Sequence, residues 1–152
     1  MADIAAVYTL TTPGGTIVFN DGDLRDGTDK YWLTSVEDAL TIRTPIDNVP
    51  FGDGGIVHDF RKGPRHMVFE GVLIIETVSL SNCRQRRNEM ENALTVALES
   101  ILKANGTLTW TPLGLATRSL TVRNDVPVVF TPIENYVLSQ FTFGLVAANP
   151  NW

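Results

Sequence analysis

Two histidines, His58 and His66, one cysteine, Cys83, and 17 carboxylates are the groups with which this chain of 152 residues could do chemistry. A zinc site would need a third protein ligand, and Asp59 and Glu70 are available without any ligand spacing to mark them. Cys83 has no nucleophile motif around it and reads as a small packing residue. Asp21, Asp23, Asp26 and Asp29 invite a calcium reading, but an EF-hand loop needs Asp or Asn where Arg25 stands, Gly where Asp26 stands and Glu where Trp32 stands. All three positions fail. The run GDGG at 52–55 lacks the spacing of a phosphate loop and reads as turn chemistry. Asn105-Gly106-Thr107 matches a glycosylation sequon and reads more simply as a helix stop. Glu70, Glu76 and Glu134 could serve acid–base catalysis only as a pair across a cleft, and nothing in the sequence places two of them so. No G-x-S-x-G, H-E-x-x-H, Walker or C-x-x-C motif occurs. The chain is expected to be no enzyme and to hold no cofactor and no metal.

What must position any functional surface is therefore the fold. With 43% hydrophobic and 19% charged residues, the chain suits one globular domain over 1–152, large enough to bury a core without a disulfide or a metal. One cysteine cannot form an internal bridge, so a reducing compartment is the simpler expectation. No signal peptide is expected, since Asp3 stands where a basic segment would lie, and no apolar run is long enough to span a membrane. The net charge of −5 makes a poor general binder of nucleic acid. The charge is uneven: residues 1–60 hold ten acids and three bases, while 61–103 hold seven bases and five acids. Such a chain can set an acidic patch of one copy against a basic patch of the next.

Most segments read as strands. IAAVYTLT (4–11) and TIVF (16–19) flank the turn residues Pro13-Gly14-Gly15, and the polar stretch 20–29 reads as an exposed loop. YWLTSVED and ALTIRT read as two short strands. In RHMVFEGVLIIE (65–76) Met67, Phe69, Leu73 and Ile75 share one face, and His66, Glu70 and Glu76 the other. TLTWT (107–111), TRSLTVR (117–123), VPVVFT (126–131) and NYVLSQFTFGLVA (135–147) alternate in the same way. One helix is expected from about Asn82 to Ala104, with Asn82 and Gln85 as a capping box, a stripe of Met90, Leu94, Ala97, Leu98 and Ile101, and a stop at Asn105-Gly106 with Lys103 in the last turn. Arg84, Arg86 and Arg87 oppose the helix dipole, so acids from elsewhere are expected beside them. The pattern predicts a mainly β fold, either a two-layer antiparallel sandwich or a partly closed barrel, with one α-helix.

The stretch 43–64 breaks this regularity. It holds three prolines and four glycines together with Val49, Phe51, Ile56, Val57 and Phe60. A loop this long inside a compact domain is usually functional, and apolar side chains on it call for burial against another chain. Folding down as an irregular edge hairpin is the alternative.

The loop ending in RKGPR (61–65), the strand HMVFEGVLI, the helix RQRRNEMENALTVALESIL, then NGTLTWTP and further strands together resemble the distal tail proteins of long-tailed bacteriophages. The resemblance is to their N-terminal ring-forming domain, which is related to tail tube proteins. It implies a ring, hexameric by analogy, that joins the tail tube protein to the tail-tip hub protein and lines a channel through which DNA passes without specific binding. It implies a virion component, assembled in the host cytoplasm, with no membrane partner. By the same analogy Phe51, Ile56, Val57 and Phe60 are expected as apolar interface contacts, and Arg61, Lys62 and Arg65 as partners for neighbouring carboxylates. No further carbohydrate-binding domain is expected after Trp152. Two alternatives stand beside this one: a tail tube subunit polymerising into stacks, and a β-sandwich carbohydrate-binding module using Trp32, Trp110 or Trp152.

Overall fold

The structure, a computed structural model, describes residues 6–24, 26–43, 46–48, 55–57, 61–77, 79–133 and 138–148. Strands β1 (Tyr8–Thr12) and β2 (Gly15–Phe19) form a hairpin, followed by the long strand β3 (Lys30–Arg43). The short strands β4 (Ile46–Asn48) and β5 (Gly55–Val57) pair with each other, and β6 (Arg61–Ile74) follows. Helix α1 (Leu80–Ser100) leads into β7 (Gly106–Trp110), β8 (Arg118–Ile133) and β9 (Leu138–Ala147). Seven of these strands close into one barrel in the order β1-β2-β3-β6-β9-β8-β7, with β7 returning to β1.

This corrects the expected sandwich or partly closed barrel: the barrel is closed and mixed, because β2 meets β3 in parallel at Phe19 and Tyr31. Closure abolishes most free edges, which two open layers could not do. The two short strands expected at YWLTSVED and ALTIRT are one strand that keeps its pairing with β6 through register shifts at Leu33/Ser35 and Leu40/Ile42. The segments 117–123 and 126–131 likewise join as β8, with shifts around Val126. A bulge adds a residue and twist without ending the ladder, so the polar interruptions that look like strand ends are bends within strands.

The expected alternation holds from Arg65 to Ile74, where the strand ends, two residues before the expected Glu76, with Ile75 only partly buried. Met67, Phe69 and Leu73 are buried, whereas His66, Glu70 and Glu76 are exposed. Facing residues from the other strands fill the barrel with rings: Phe69 and Phe143 stack at 5.1 Å, Tyr8 stacks on Trp110 at 5.6 Å, and Phe19 sits within 6.2 Å of Phe69, Phe141 and Phe143. Gly71 has no side chain because a Cβ there would strike the Trp32 carbonyl and the Phe141 ring. The barrel is thus a packed core and not a pore.

The helix begins earlier than expected. Ser79, not Asn82, takes the N-cap position, and no side chain caps it. The helix ends at Ser100, while Gly106 is the buried first residue of β7, where a Cβ would press on Ile101. Met90, Leu94, Ala97, Leu98 and Ile101 form the expected buried stripe, joined by Cys83. The helix packs on β1, β2, β8 and β9. It is tied there by Tyr31 Oη donating to the Met90 carbonyl at 2.7 Å, and by the Gly14 N–H donating to Ser100 Oγ at 3.1 Å. Burial pushes the Tyr31 phenol up to about 12, so this donor keeps its proton at any physiological pH.

The single-residue β2–β3 contact is completed by one side chain. Asn20 sits at φ 60°, its N–H donates to the Tyr31 carbonyl, its Oδ1 accepts from the Leu33 N–H at 2.7 Å and its Nδ2 donates to the Ala6 carbonyl at 3.1 Å. Asn tolerates this backbone region better than other non-glycine residues. Asn20→Ala leaves the buried Leu33 N–H without its acceptor and is expected to cost about 2–3 kcal/mol, read by urea denaturation.

Candidate assembly surface

Of the residues expected to make contacts between copies, Ile56 and Val57 lie in β5, whose partner register is Ile46 to Val57 and Asn48 to Gly55. Arg61 and Lys62 open β6, opposite Arg43 and Ile42 of β3. The stretch 43–64 is therefore no simple loop: ladder pairing of β3 with β6 reaches Arg43 and Arg61, and a second two-stranded ladder follows it. Phe51 and Phe60, with Val49, lie outside the described residues. Arg65 is buried and pairs with Asp38 of its own chain at 3.4 Å. Burial holds its guanidinium below the usual range against the pull of Asp38.

The acids of the 20–29 loop go to intrachain partners. Lys30, almost wholly buried, donates to Asp26 Oδ2 at 2.7 Å, to Thr28 Oγ1 at 2.8 Å and to the Asp21 carbonyl at 2.6 Å. The Lys30 hydrogen bond, then that of Thr28, holds the Asp26 carboxyl far below its usual range. Among the described residues no three of His, Cys, Asp and Glu come together as metal ligands.

Asp29 is the junction of this end of the molecule. Its carboxylate accepts the Glu76 N–H at 2.9 Å, the Thr77 N–H at 3.1 Å, the Thr77 hydroxyl at 2.7 Å and Arg86 Nε. Arg86 also meets Glu89, and Arg87 faces Glu91 at 3.7 Å. Two of the three helix arginines thus find acids, one of them from a distant segment as expected. Burial alone would raise the Asp29 carboxyl, but the hydrogen bonds from Arg86 and Thr77 lower it below 3.8. A depressed carboxylate stabilises the fold above its unfolded pKa and loses that contribution as the pH falls. Asp29→Asn is therefore expected to cost about 2 kcal/mol near neutral pH. In an acid titration the gap between the two proteins should narrow as the pH drops below 3.8. A gap that stays constant into acid would contradict this assignment.

The sequence reading missed a feature of the sheet. Strands β3, β6, β9 and β8 are consecutive neighbours and all antiparallel, so β3 and β8 run in opposite senses. On the side of β3 away from β6, only Tyr31 meets β2, and the Leu33 N–H goes to Asn20. From Thr34 to Arg43 that edge has no strand among the described residues. On the side of β8 away from β9, β7 covers residues 118–122 and the Asn124 N–H goes to the Ile101 carbonyl. From Asp125 to Ile133 that edge too is without a strand among the described residues. Val126 and Val129 on it are 46% and 60% exposed. The signal was present in VPVVFTPI: Pro127 and Pro132 cannot donate to a ladder, and prolines in a strand mark an edge.

The outward face of these four strands carries Glu37, His66, Glu70, Gln140 and Thr142, with Val68, Val72 and Val146 between them. His66 Nδ1 lies 3.0 Å from Asp125 Oδ2. At one end of this face a cavity of about 290 Å³ is lined by Pro64, Asn105, Thr121, Val122, Arg123, Val146 and Ala148. Trp110 is buried in the barrel and offers no sugar platform, Trp32 is half-buried, and Trp152 lies outside the described residues. No described helix is long and apolar enough to cross a membrane.

No protein-family model and no curated protein matches the sequence. Solved structures do match the fold. The SPP1 Dit protein (gp 19.1), called a paradigm of the hub adsorption apparatus in phages that infect Gram-positive bacteria, superposes with a TM-score of 0.54 at 11% identity, over 95% of this chain and 51% of that one. The phage p2 baseplate, in its activated conformation with Sr, contributes a chain with a TM-score of 0.50 at 15% identity, over 91% of this chain and 43% of that one. The chain spans about half the length of these structures. Along nearly its whole described length, this chain is similar in fold to a phage Dit hub protein and to a chain of a phage baseplate.

Proposed function

We propose that this chain, as a single domain, is a structural subunit of a phage tail or baseplate that closes with copies of itself into a ring between tail tube and tail-tip hub. The observation that supports the reading is the pair of oppositely directed edges on one sheet that no strand covers among the described residues. A rotation about a ring axis preserves strand direction, so the β8 edge of one copy meets the β3 edge of the next in antiparallel sense. One patch then meets a different patch, the heterologous contact from which rings are built. The ladder hydrogen bonds supply register and affinity. Six copies are the number that the likeness to distal tail proteins suggests.

The packed barrel interior leaves no passage through a subunit, so a channel has to lie between copies. In a ring closed through these edges the bulk of each barrel and its helix stand outside, and the outward face of β3-β6-β9-β8 turns to the lumen. Glu37 and Glu70 then give that wall negative charge, which repels DNA phosphates at short range and lets the duplex pass without sticking. The role is mechanical, with no turnover. Negative-stain electron microscopy of the purified chain tests it. Closed rings with a central hole are the expected particles, and single globules at every concentration up to the millimolar range would overturn the reading.

A further inference from the structure

The backbone of the two edges carries a further constraint, which decides which of their residues can meet. This inference rests on the ring reading above. In an antiparallel ladder the N–H and C=O of one residue leave the strand on the same side, and the sides alternate along the chain. The Asn124 N–H goes to the Ile101 carbonyl, away from β9, so Arg123 and its partner Val146 turn their groups toward each other. Alternation along β9 carries this to Thr142, Gln140 and Leu138, whose partners Val129, Thr131 and Ile133 are therefore the β8 residues bonded to β9. Phe130 and Pro132 face the open side, as does Val128, which packs inward against the core as Phe130 does. Pro132 has no N–H to give, and a position turned away from the ladder is where a strand tolerates it.

The same alternation runs across β6, which pairs with β9 without a shift. It turns Ser35 and Glu37 toward β6, and Val36, Asp38 and Leu40 toward the open side of β3. Before the register shift at Leu33/Ser35 it turns Tyr31 and Leu33 to that side, where the Tyr31 carbonyl and the Leu33 N–H are indeed bonded to Asn20.

We propose that the β3 edge of one copy and the β8 edge of the next meet in one register, with Val36 opposite Pro132, Asp38 opposite Phe130 and Leu40 opposite Val128. Each edge offers three outward positions in a row, and an antiparallel match of three on three has this one solution. A slip by one residue sets outward groups against inward ones and moves the buried Val36 to the face of the exposed residues. A slip by two leaves one of the three without an opposite number. Pro132 falls at the end of the run, where it accepts the Val36 N–H and its missing donor costs one bond.

In this register Glu37 stands opposite Thr131 and Ser35 opposite Ile133, as non-hydrogen-bonded pairs. The Cβ atoms of such pairs are about 4.5 Å apart, close to what a disulfide needs, whereas Glu37 and Val129 would be about 7 Å apart. Within one copy β3 and β8 are three strand spacings apart, about 14 Å, so no bridge can form inside a chain.

The test uses the full chain with Cys83→Ser. Glu37→Cys combined with Thr131→Cys is assembled and treated with diamide, which takes up the two electrons and two protons that each pair of thiols loses as the S–S bond forms. Covalent ladders up to the ring size are expected, forming roughly tenfold faster than when Val129→Cys replaces Thr131→Cys. Ser35→Cys with Ile133→Cys reads the same register at a second pair and should give the same ladders. Rings that link faster through Val129→Cys, or that link through neither matched pair, would overturn the register and leave the ring standing. Absence of rings from the unmodified chain would overturn both.

Discussion

Phe143→Ala should lower the unfolding free energy by about 4 kcal/mol and the melting midpoint by roughly 10 °C. Its ring is fully buried, stacked 5.1 Å from Phe69 and within 6.1 Å of Phe19 and Phe141. Truncation removes the transfer free energy of the ring and opens a void that a closed barrel cannot collapse, because each strand is held by neighbours on both sides. Phe143→Leu keeps most of the volume and should cost about 1–1.5 kcal/mol. Urea titrations of the two variants check this. A loss below about 1 kcal/mol for Phe143→Ala would mean that the interior is not packed as described, and the argument that the channel must lie between copies would fall with it.

The second large effect concerns assembly. Val126→Asp combined with Val129→Asp places two carboxylates at positions that are 46% and 60% exposed, so the fold should tolerate them within about 0.5 kcal/mol. The same change sets new charge beside a strand edge that must meet the next copy, in a chain already carrying −5. Charges on edges are how proteins prevent strand pairing. Ring formation should weaken by about a hundredfold or more, roughly 3 kcal/mol at each contact. Circular dichroism and native mass spectrometry separate the two readouts: an unchanged spectrum with lost rings is expected. Rings of unchanged abundance would show that β8 is not the contact.

Much of this fold was legible because its barrel strands obey the period-two rule. Met67, Phe69 and Leu73 against His66 and Glu70 mark the inner and outer faces of β6 in the sequence itself, and the stripe from Met90 to Ile101 marks the buried side of the helix. The boundaries were less legible for a physical reason. Bulges at Ser35, Ile42 and Val126 shift the alternation without ending the strand, so a reader of residues sees two strands where the backbone keeps one ladder. Closure was hidden as well, since it depends on one parallel contact at Phe19 and on Asn20, which hydrogen-bonds to Ala6, Tyr31 and Leu33. The helix start shifted to Ser79 because Asp29 reaches across 48 residues to hold Thr77 in place, a constraint no local capping rule contains. The surface where copies would meet was sought in one segment of the sequence only. The apolar residues of 43–64 drew the eye there, whereas the edges of β3 and β8 depend on the strand order, which residue patterns do not contain.

Amide hydrogen exchange, followed in the monomer and in the assembled protein, tests the edge pairing most directly. On assembly the amides of Thr34–Arg43 and Asp125–Ile133 that point away from β6 and β9 should slow by orders of magnitude, while β1, β2 and β7 keep their rates. Rings in which those two segments exchange as fast as in the monomer would contradict the account.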